Sequence, residues 1–406
     1  MVKPKIHRHH KRTPYAANAF PVEPSPWDCD DQQLFSYAQP ATGPPAAPLF
    51  RAVASSIPEP FALGGLTGTC RFPQITVDGL ADSHVHGADL HAVYHGLLGL
   101  LPARGDENSW RAVARFRATN NEITSQVAGA LIAGLRGAPV AGVPLAVQPV
   151  GADSLEPQYA CPAAAAVWAA IKASRPWRRH LAAARELFAA LDAVSGVAPA
   201  DEGFHMSLDH YFDNLSARQC HGRPLPCRPG GGRCATQDLA DAVYRVGQWE
   251  YSFLYRGHDR SLAASVGAWG LWVAELAAHL RAVVDGRADG VVWRHNIAHD
   301  GSVSRLLSIL QADVMVWPGM GGEVVFELWR DRGAAASGEK GVDTATRSPS
   351  GLYVRVLFGG RVLKSSNPGL GRLEMLRVEA LLAYFDGLVG RDAALMARKC
   401  NGSIPL

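Results

Sequence analysis

The order of helix-like and strand-like segments along the chain is the feature that most restricts its fold. Residues 155 to about 285 show an almost wholly helical pattern, with candidate helices at 163–174, 177–194, 237–256 and 262–284. Apolar, β-branched runs predict strands on both sides of this block, at 138–150, 290–298, 323–330 and 353–363. Strands at both ends and helices in the middle predict an α/β domain that carries a helical insertion.

Other helices accompany the predicted strands. A helical pattern starts near residue 73 and stops at Pro102, and a second amphipathic helix covers 119–135. A third covers 302–311, with Ser302 as the expected N-cap. We therefore assign 1–154 and 289–406 to a discontinuous core and 155–288 to the inserted subdomain.

Composition and charge exclude several classes of protein. Of 406 residues, 48% are apolar and 19% are charged, which is typical of a globular chain and excludes wholesale disorder. The net charge of +3 comes from well-mixed acids and bases, so no nucleic-acid-binding face is predicted. The most apolar segment, 261–280, carries Glu275 and His279, and we interpret it as a buried helix and not as a membrane span. The sequence gives no indication of oligomeric state.

Cysteines and glycosylation sequons favour a secreted protein. Seven cysteines are present, and sequons begin at Asn214 and Asn401. The first residues, MVKPKIHRHHKR, contain no apolar segment that would form a signal peptide. We expect a secretory protein whose sequence begins downstream of its natural start.

The first cluster of reactive residues is RHHKRTP, residues 8–14. Arginine's planar fork matches phosphate oxygens, and a histidine between two arginines can be a neutral nucleophile because neighbouring positive charge lowers its pKa. The alternative is a basic terminal tail.

The second cluster is RHNIAHDG, residues 294–301, where a predicted strand meets a predicted helix at His299-Asp300. Anion sites of α/β proteins lie at such junctions, and an aspartate there can act as a general acid. The alternative is a capped turn.

The third cluster, DSHVHGADLH at 82–91, contains a His-x-His pair that is typical of metal-dependent amidohydrolases. The segment has a helical pattern, however, and a helix directs His84 and His86 to different faces. Farther along, Cys220, Cys227 and Cys234 have no zinc-site spacing, and we expect a disulfide-bearing loop there.

Taken in order, these segments resemble the histidine acid phosphatases, the second branch of the histidine phosphatase superfamily. RHHKRTP is similar to the family's Arg-His-Gly-x-Arg-x-Pro signature. The other similar segments are PQITVDGL (73–80), RATNNEITSQVAGALIAGL (117–135), YFDNLSARQCHGRPLP (211–226), HDGSVSRLLSIL (299–310) and EVVFELWR (323–330).

The resemblance implies a mechanism for hydrolysis of a small phosphomonoester without a metal or another cofactor. His9 would attack phosphorus, and Asp300 would protonate the leaving group. Arg8, Arg12, Arg117 and His299 would hold the phosphoryl oxygens. Arg117 is chosen over Arg115 because Thr119 and Thr124 match the family pattern.

The resemblance also implies a mainly parallel sheet flanked by helices, a helical cap at 155–288 that shapes the substrate pocket, and a disulfide between Cys161 and Cys400. Two features depart from the family. His10 stands where the signature has glycine, and only VKPKIH precedes Arg8, so the strand that positions the nucleophile is predicted to be nearly absent. A member that binds a phosphate ligand without turnover is therefore the alternative function.

Overall fold

The computed structural model describes residues 3–23, 25–35, 38, 40, 42–44, 46–53, 64–137, 142–230, 232–331 and 348–406. The chain forms two compact units. The first contains Met1–His10, Ser83–Trp177 and Tyr251–Leu406, and the second contains Lys11–Asp82 and Arg178–Glu250. The predicted cap at 155–288 therefore shares only 178–250 with the second unit, and its role in substrate binding stays a prediction.

The strands have these bounds: β1 Lys3–Arg8, β2 Leu34–Phe35, β3 Phe50–Arg51, β4 Ala114–Ala118, β5 Leu145–Ala146, β6 Trp293–Ala298, β7 Glu323–Arg330, β8 Leu352–Phe358, β9 Arg361–Val362 and β10 Leu376–Arg377. An eight-stranded sheet in the first unit has the order β10-β8-β7-β1-β6-β4-β5, with β9 beside β8. Strands β1, β6, β4 and β5 pair in parallel, whereas β7 and β8 run antiparallel to their neighbours. The predicted α/β class is confirmed.

The helices are α1 Val77–His91, α2 Glu107–Val113, α3 Glu122–Arg136, α4 Pro162–Lys172, α5 Arg175–Ala183, α6 Arg185–Ser195, α7 Glu202–His205, α8 Asp209–Cys220, α9 Gln237–Ser252, α10 Ser261–Val284, α11 Asp300–Ile309, α12 Val378–Val389 and α13 Met396–Cys400. Short π-helical turns, Ala92–Leu97 and Phe253–Gly257, follow α1 and α9.

Three sequence-based boundaries differ from the structure. The predicted helix at 177–194 is divided between α5 and α6. The predicted strand at 138–150 is reduced to β5, and its residues 138–141 lie outside the described residues. Helix α11 is capped by His299 and not by Ser302. Ser302 lies in the first turn of the helix and not before it, and its hydroxyl donates to the Leu155 carbonyl (2.8 Å).

Helix α10 is the one helix in the described part of the chain that is long and apolar enough to cross a membrane, with a mean hydropathy of 1.3 over its most apolar window. Within the first unit it packs against α4, α11 and α12, and 67% of that window is buried. It therefore has the surroundings of a core helix, as its glutamate and histidine predicted.

Strand β1 corrects the expectation of a missing nucleophile strand. All six of its residues are buried, and it lies between β6, to which it is parallel, and β7, to which it is antiparallel. Its two lysines are tolerated because each meets a glutamate of β7, Lys3 with Glu327 (2.8 Å) and Lys5 with Glu323.

The disulfides fall within the units. Cys161–Cys400 links α4 to α13 in the first unit, and this is the pairing that the family resemblance implied. Cys29–Cys70 and Cys227–Cys234 lie in the second unit, the latter in the predicted disulfide-bearing loop. Cys220 takes part in none of these three bonds.

The second unit has a separate apolar core, formed by Phe20 and residues of α6, α8 and α9. Asn214 lies inside this unit with only 1% of its surface exposed, and its buried side-chain amide donates to the Asn18 carbonyl (2.9 Å). The sequon at Asn214 is therefore inaccessible in the folded chain, whereas Asn401 is exposed.

Candidate active site

The carboxyl ends of β1 and β6 bring four of the predicted site residues together. Because the two strands are parallel and in register, Arg8 lies beside Ala298, and His9 and His299 follow at the same edge of the sheet. The His9 backbone continues this pairing, since its N–H donates to the Ala298 carbonyl (2.9 Å). The His9 carbonyl accepts from the Gly321 N–H (3.1 Å), which fixes the loop after β1 on both sides.

The His9 imidazole is oriented by the main chain. Its Nδ1 lies 2.9 Å from the carbonyl oxygen of His10, and a carbonyl can only accept. The proton therefore resides on Nδ1, and Nε2 carries the lone pair. His9 is 1% exposed, so this tautomer is held in a buried position.

His299 and Asp300 lie at the junction between β6 and α11. The His299 Nε2 shares a 2.9 Å hydrogen bond with the Thr119 hydroxyl, and its ring centroid is 5.4 Å from that of His9. The Asp300 carboxylate accepts from the Gly301 N–H (2.7 Å) and from the Trp317 indole (2.9 Å). These contacts aim both side chains at the edge of the sheet where His9 lies.

Arg8 connects β1 with Asp300, the candidate acid. Its Nη2 is 3.1 Å from Asp300 Oδ2, and its Nη1 donates to the Pro318 carbonyl (2.7 Å). The side chain is 6% exposed. A bound phosphoryl group would compete with Asp300 for this guanidinium, because arginine binds phosphate oxygens as well as carboxylates.

Arg117 is surrounded by polar partners of its own. On β4, its Nη1 donates to Glu275 (2.6 Å), and its Nη2 donates to Gln148 (2.6 Å), Ser154 (2.9 Å) and Asp153 (3.3 Å). The charge of this guanidinium is therefore compensated by two carboxylates. Its predicted phosphate contact stays a prediction, and it requires these bonds to open.

The two threonines that pointed to Arg117 do lie at the site. Thr119 and Thr124 share a 2.9 Å hydrogen bond, and Thr119 also reaches His299. Arg117, two residues earlier, instead contacts the acids just described, whereas Thr119 contacts His299.

Arg12 belongs to the second unit. Its guanidinium makes a bidentate contact with Asp213, at 2.7 and 3.2 Å, and lies over the Tyr15 ring at 4.3 Å from the centroid. The predicted role of Arg12 in phosphate binding stays a prediction.

Glu156 is a candidate site residue that the sequence did not reveal, because no motif surrounds it. Its Oε1 lies 3.6 Å from Nε2 of His299. Burial, together with the negative charge of Asp153, raises the pKa of Glu156 to about 7. Its protonation can therefore change between acidic and neutral pH, which would alter the charge next to any bound anion.

His10 is directed into the protein and not towards solvent. It is 6% exposed, and its Nε2 lies 3.2 Å from Nδ1 of His86 on α1. Gly321 makes room for the ring, since a Cβ there would lie 2.9 Å from the His10 Nε2. His86 thus belongs to an interior cluster, whereas His84 is exposed.

The same sheet face carries further buried polar groups. His7 on β1 shares a 2.8 Å hydrogen bond with His295 on β6. Burial lowers the pKa of both imidazoles well below the ordinary value, and burial next to Lys5 lowers that of His86. Burial opposes ionisation of Glu323, but Lys5 outweighs it and holds the pKa of that carboxyl below its usual range.

Comparisons with known proteins locate this fold. No protein-family model matches the sequence, and no curated protein sequence matches it. Among solved structures, the Klebsiella sp. ASR1 phytase is similar with a TM-score of 0.57 and 18% identity, covering 97% of this chain and 96% of that one. The Citrobacter braakii phytase has a TM-score of 0.57 and 13% identity, covering 97% and 99%. The Hafnia alvei phytase in complex with myo-inositol hexakis sulphate has a TM-score of 0.57 and 14% identity, covering 97% of each chain. Over nearly its whole length, the chain therefore has the fold of the phytases, the α/β fold that its resemblance to the histidine acid phosphatases implied.

Proposed function

We propose that this protein is a phosphomonoester hydrolase of the histidine acid phosphatase family, with His9 as nucleophile and Asp300 as proton donor. The observation that carries this proposal is the orientation of the His9 ring. The bond from Nδ1 to the His10 carbonyl fixes the tautomer, so Nε2 is the nitrogen that can attack. Arg8, His299 and Asp300 lie at the same edge of the sheet.

In the first step, His9 Nε2 forms a bond to phosphorus while the bond from phosphorus to the ester oxygen breaks. Asp300 transfers its proton to that oxygen, which leaves as an alcohol. Arg8 and His299 donate hydrogen bonds to the phosphoryl oxygens, where charge is concentrated in the transition state.

In the second step, water attacks phosphorus and the bond to His9 Nε2 breaks. Asp300, now a carboxylate, takes a proton from that water, so inorganic phosphate and the original enzyme are formed. Because Asp300 must be protonated at the start of the cycle, activity is expected to peak in mildly acidic buffer.

The substrate class follows from the chemistry of the site and not from its detailed shape. We propose a small phosphorylated molecule, with inositol phosphates as the first to test because the similar folds are phytases. We further propose a secretory location, which the three disulfides favour.

The decisive experiment combines steady-state hydrolysis of an aryl phosphate at pH 5 with capture of the phosphorylated enzyme. His9→Ala is expected to lose at least about 10³-fold in kcat, as removal of a catalytic nucleophile does. Asp300→Asn is expected to lose about 10²- to 10⁴-fold, the range of a general acid. An alkaline denaturing quench, which preserves a phosphorus–nitrogen bond, should trap labelled phosphate on the wild type and not on His9→Ala.

His84→Ala is the matched control, because His84 is an exposed histidine outside the site. It should keep wild-type activity and labelling. Equal activity of His9→Ala and the wild type would refute the nucleophile assignment.

A phosphate-binding protein without turnover is the second candidate function. The observation that favours it is the state of two predicted phosphate ligands: Arg12 is paired with Asp213, and Arg117 with Glu275 and Asp153. In that case inorganic phosphate would bind to the wild type, and neither hydrolysis nor labelling would be measurable.

A further inference from the structure

A group of three histidines lies together on the face of the sheet that α1 covers. They are His7 on β1, His10 just after it and His86 on α1, and one ring nitrogen of each lies within 4.8 Å of the others. The proposed hydrolysis uses none of these side chains.

One pair of these ring nitrogens has the spacing that a metal ion requires. The His10 Nε2 and His86 Nδ1 are 3.2 Å apart. Two nitrogens bound to one tetrahedral zinc at about 2.0 Å are about 3.3 Å apart, so this pair already has the required separation. The third nitrogen lies within 4.8 Å of both, so a common ion requires this nitrogen to move closer to the pair.

The third nitrogen, Nε2 of His7, is the observation that points to a ligand. His7 is completely buried, and this atom has no hydrogen-bond partner among the described residues. Since a buried polar atom without a partner is costly, its presence next to two other imidazoles calls for a bound group.

The far nitrogens of two of these rings, those of His86 and His7, have partners that suit a metal ligand. His86 Nε2 lies 2.9 Å from the Glu323 carboxylate, and His7 Nδ1 lies 2.8 Å from His295 Nε2. Metal-binding histidines ordinarily place their second ring nitrogen against a carboxylate or another acceptor, which fixes the tautomer that binds. Glu323 is shared with the Lys5 ammonium, which itself lies 3.1 Å from His86 Nε2, so the carboxylate orients the His86 ring while Lys5 balances its charge.

Access is compatible with such a site. The His86 side chain is 16% exposed, so the ring of one proposed ligand reaches solvent.

We propose that His7, His10 and His86 bind one divalent transition-metal ion, of the class to which Zn²⁺ and Co²⁺ belong. Three imidazole ligands favour these ions over Mg²⁺ and Ca²⁺, which prefer oxygen. The ion stabilises the loop after β1, because His10 is both a ligand and the residue whose carbonyl orients His9. It takes no part in the bonds that form and break at phosphorus.

The test is titration of the chelator-stripped full chain with Co²⁺, followed by visible absorption and then displacement by Zn²⁺. Wild type is expected to bind one equivalent with the intense absorption of a four-coordinate site. His86→Gln is expected to weaken binding at least about tenfold, the smallest effect reported even for outer-shell groups of metal sites. His84→Gln, a change at the exposed histidine two residues away, should bind as the wild type does.

Two outcomes would overturn the proposal. One is the absence of saturable binding to the wild type. The other is binding that survives in His86→Gln but is lost in His95→Gln, which would place the ion on the stacked pair His91 and His95. X-ray absorption of wild type with one equivalent of Zn²⁺ requires no variant to fold: three nitrogen neighbours from imidazole rings at about 2.0 Å support the site, and fewer than two refute it.

Discussion

Glu156→Gln should remove a pH dependence of stability that the wild type carries. The Glu156 carboxyl is buried beside Asp153, and its pKa is raised to about 7 from an ordinary 4.5. Below pH 4.5 the acid is protonated in both the folded and the unfolded chain. Between these values the folded chain binds the proton more tightly, so stability falls as pH rises through 7.

The magnitude follows from the two pKa values. Their difference corresponds to about 3 kcal/mol between pH 4.5 and pH 8, because one pKa unit is about 1.4 kcal/mol. Glu156 keeps 24% of its side chain exposed, so solvent reduces the effect and about 3 kcal/mol is the upper bound. Glutamine has the shape of the protonated acid but does not titrate.

Urea unfolding at pH 5 and pH 8 measures the effect. Wild type and Glu156→Gln should have similar unfolding free energies at pH 5. At pH 8 the variant should be more stable by between about 1 and 3 kcal/mol. Glu186→Gln, at an exposed glutamate of α6, controls for the loss of a carboxylate as such. The reasoning is refuted if wild type and Glu156→Gln show the same difference between the two pH values.

Two other substitutions test how β1 and its loop are held. Glu323→Gln should lower the unfolding free energy by about 3–5 kcal/mol, because it leaves the Lys5 charge buried without its carboxylate; the exposed Glu374→Gln should change it by less than about 0.5 kcal/mol. Equal effects of the two, measured by urea unfolding, would contradict the buried ion pair. Gly321→Ala should lower the unfolding free energy through two separate effects. The φ of +73° costs about 1 kcal/mol for a residue with a Cβ, and contact of that Cβ with His10 adds a further cost. Adding His10→Gly should restore only the second part, and the absence of any recovery would show that the two residues do not meet.

The α/β class and the positions of most elements followed from the period of the apolar residues. Strand β1, which precedes His9, could not be predicted in this way, since two lysines within six residues argue against a buried strand. Their partners, Glu323 and Glu327, lie more than 300 residues farther along the chain, and local patterns do not report such pairing. The charges matched across β1 and β7 are visible only once the strand order is known.

The candidate site, too, contains residues that short motifs predicted and residues that they did not. His9, His299 and Asp300 were predictable because each follows a strand end within a short motif. The surroundings of Arg117 could not be predicted from its motif, because its partners Gln148 and Glu275 lie in the loop after β5 and on α10. Glu156 could not be predicted from the sequence as a site residue, because its raised pKa arises from burial in the folded chain and from the Asp153 carboxylate.

The placement of β1 also determines when the loop that carries His9 can be assembled. Strand β1 is synthesised long before its neighbours, which are 293–298 on one side and 323–325 on the other. As the chain emerges from the ribosome, the segment must therefore wait for nearly 300 residues before it can join the sheet. An apolar strand would be at risk of aggregation during that time, whereas the two lysines, His7 and Arg8 make β1 polar enough to stay hydrated until its partners are made. The polar face that later surrounds the histidine cluster thus also protects the nascent chain.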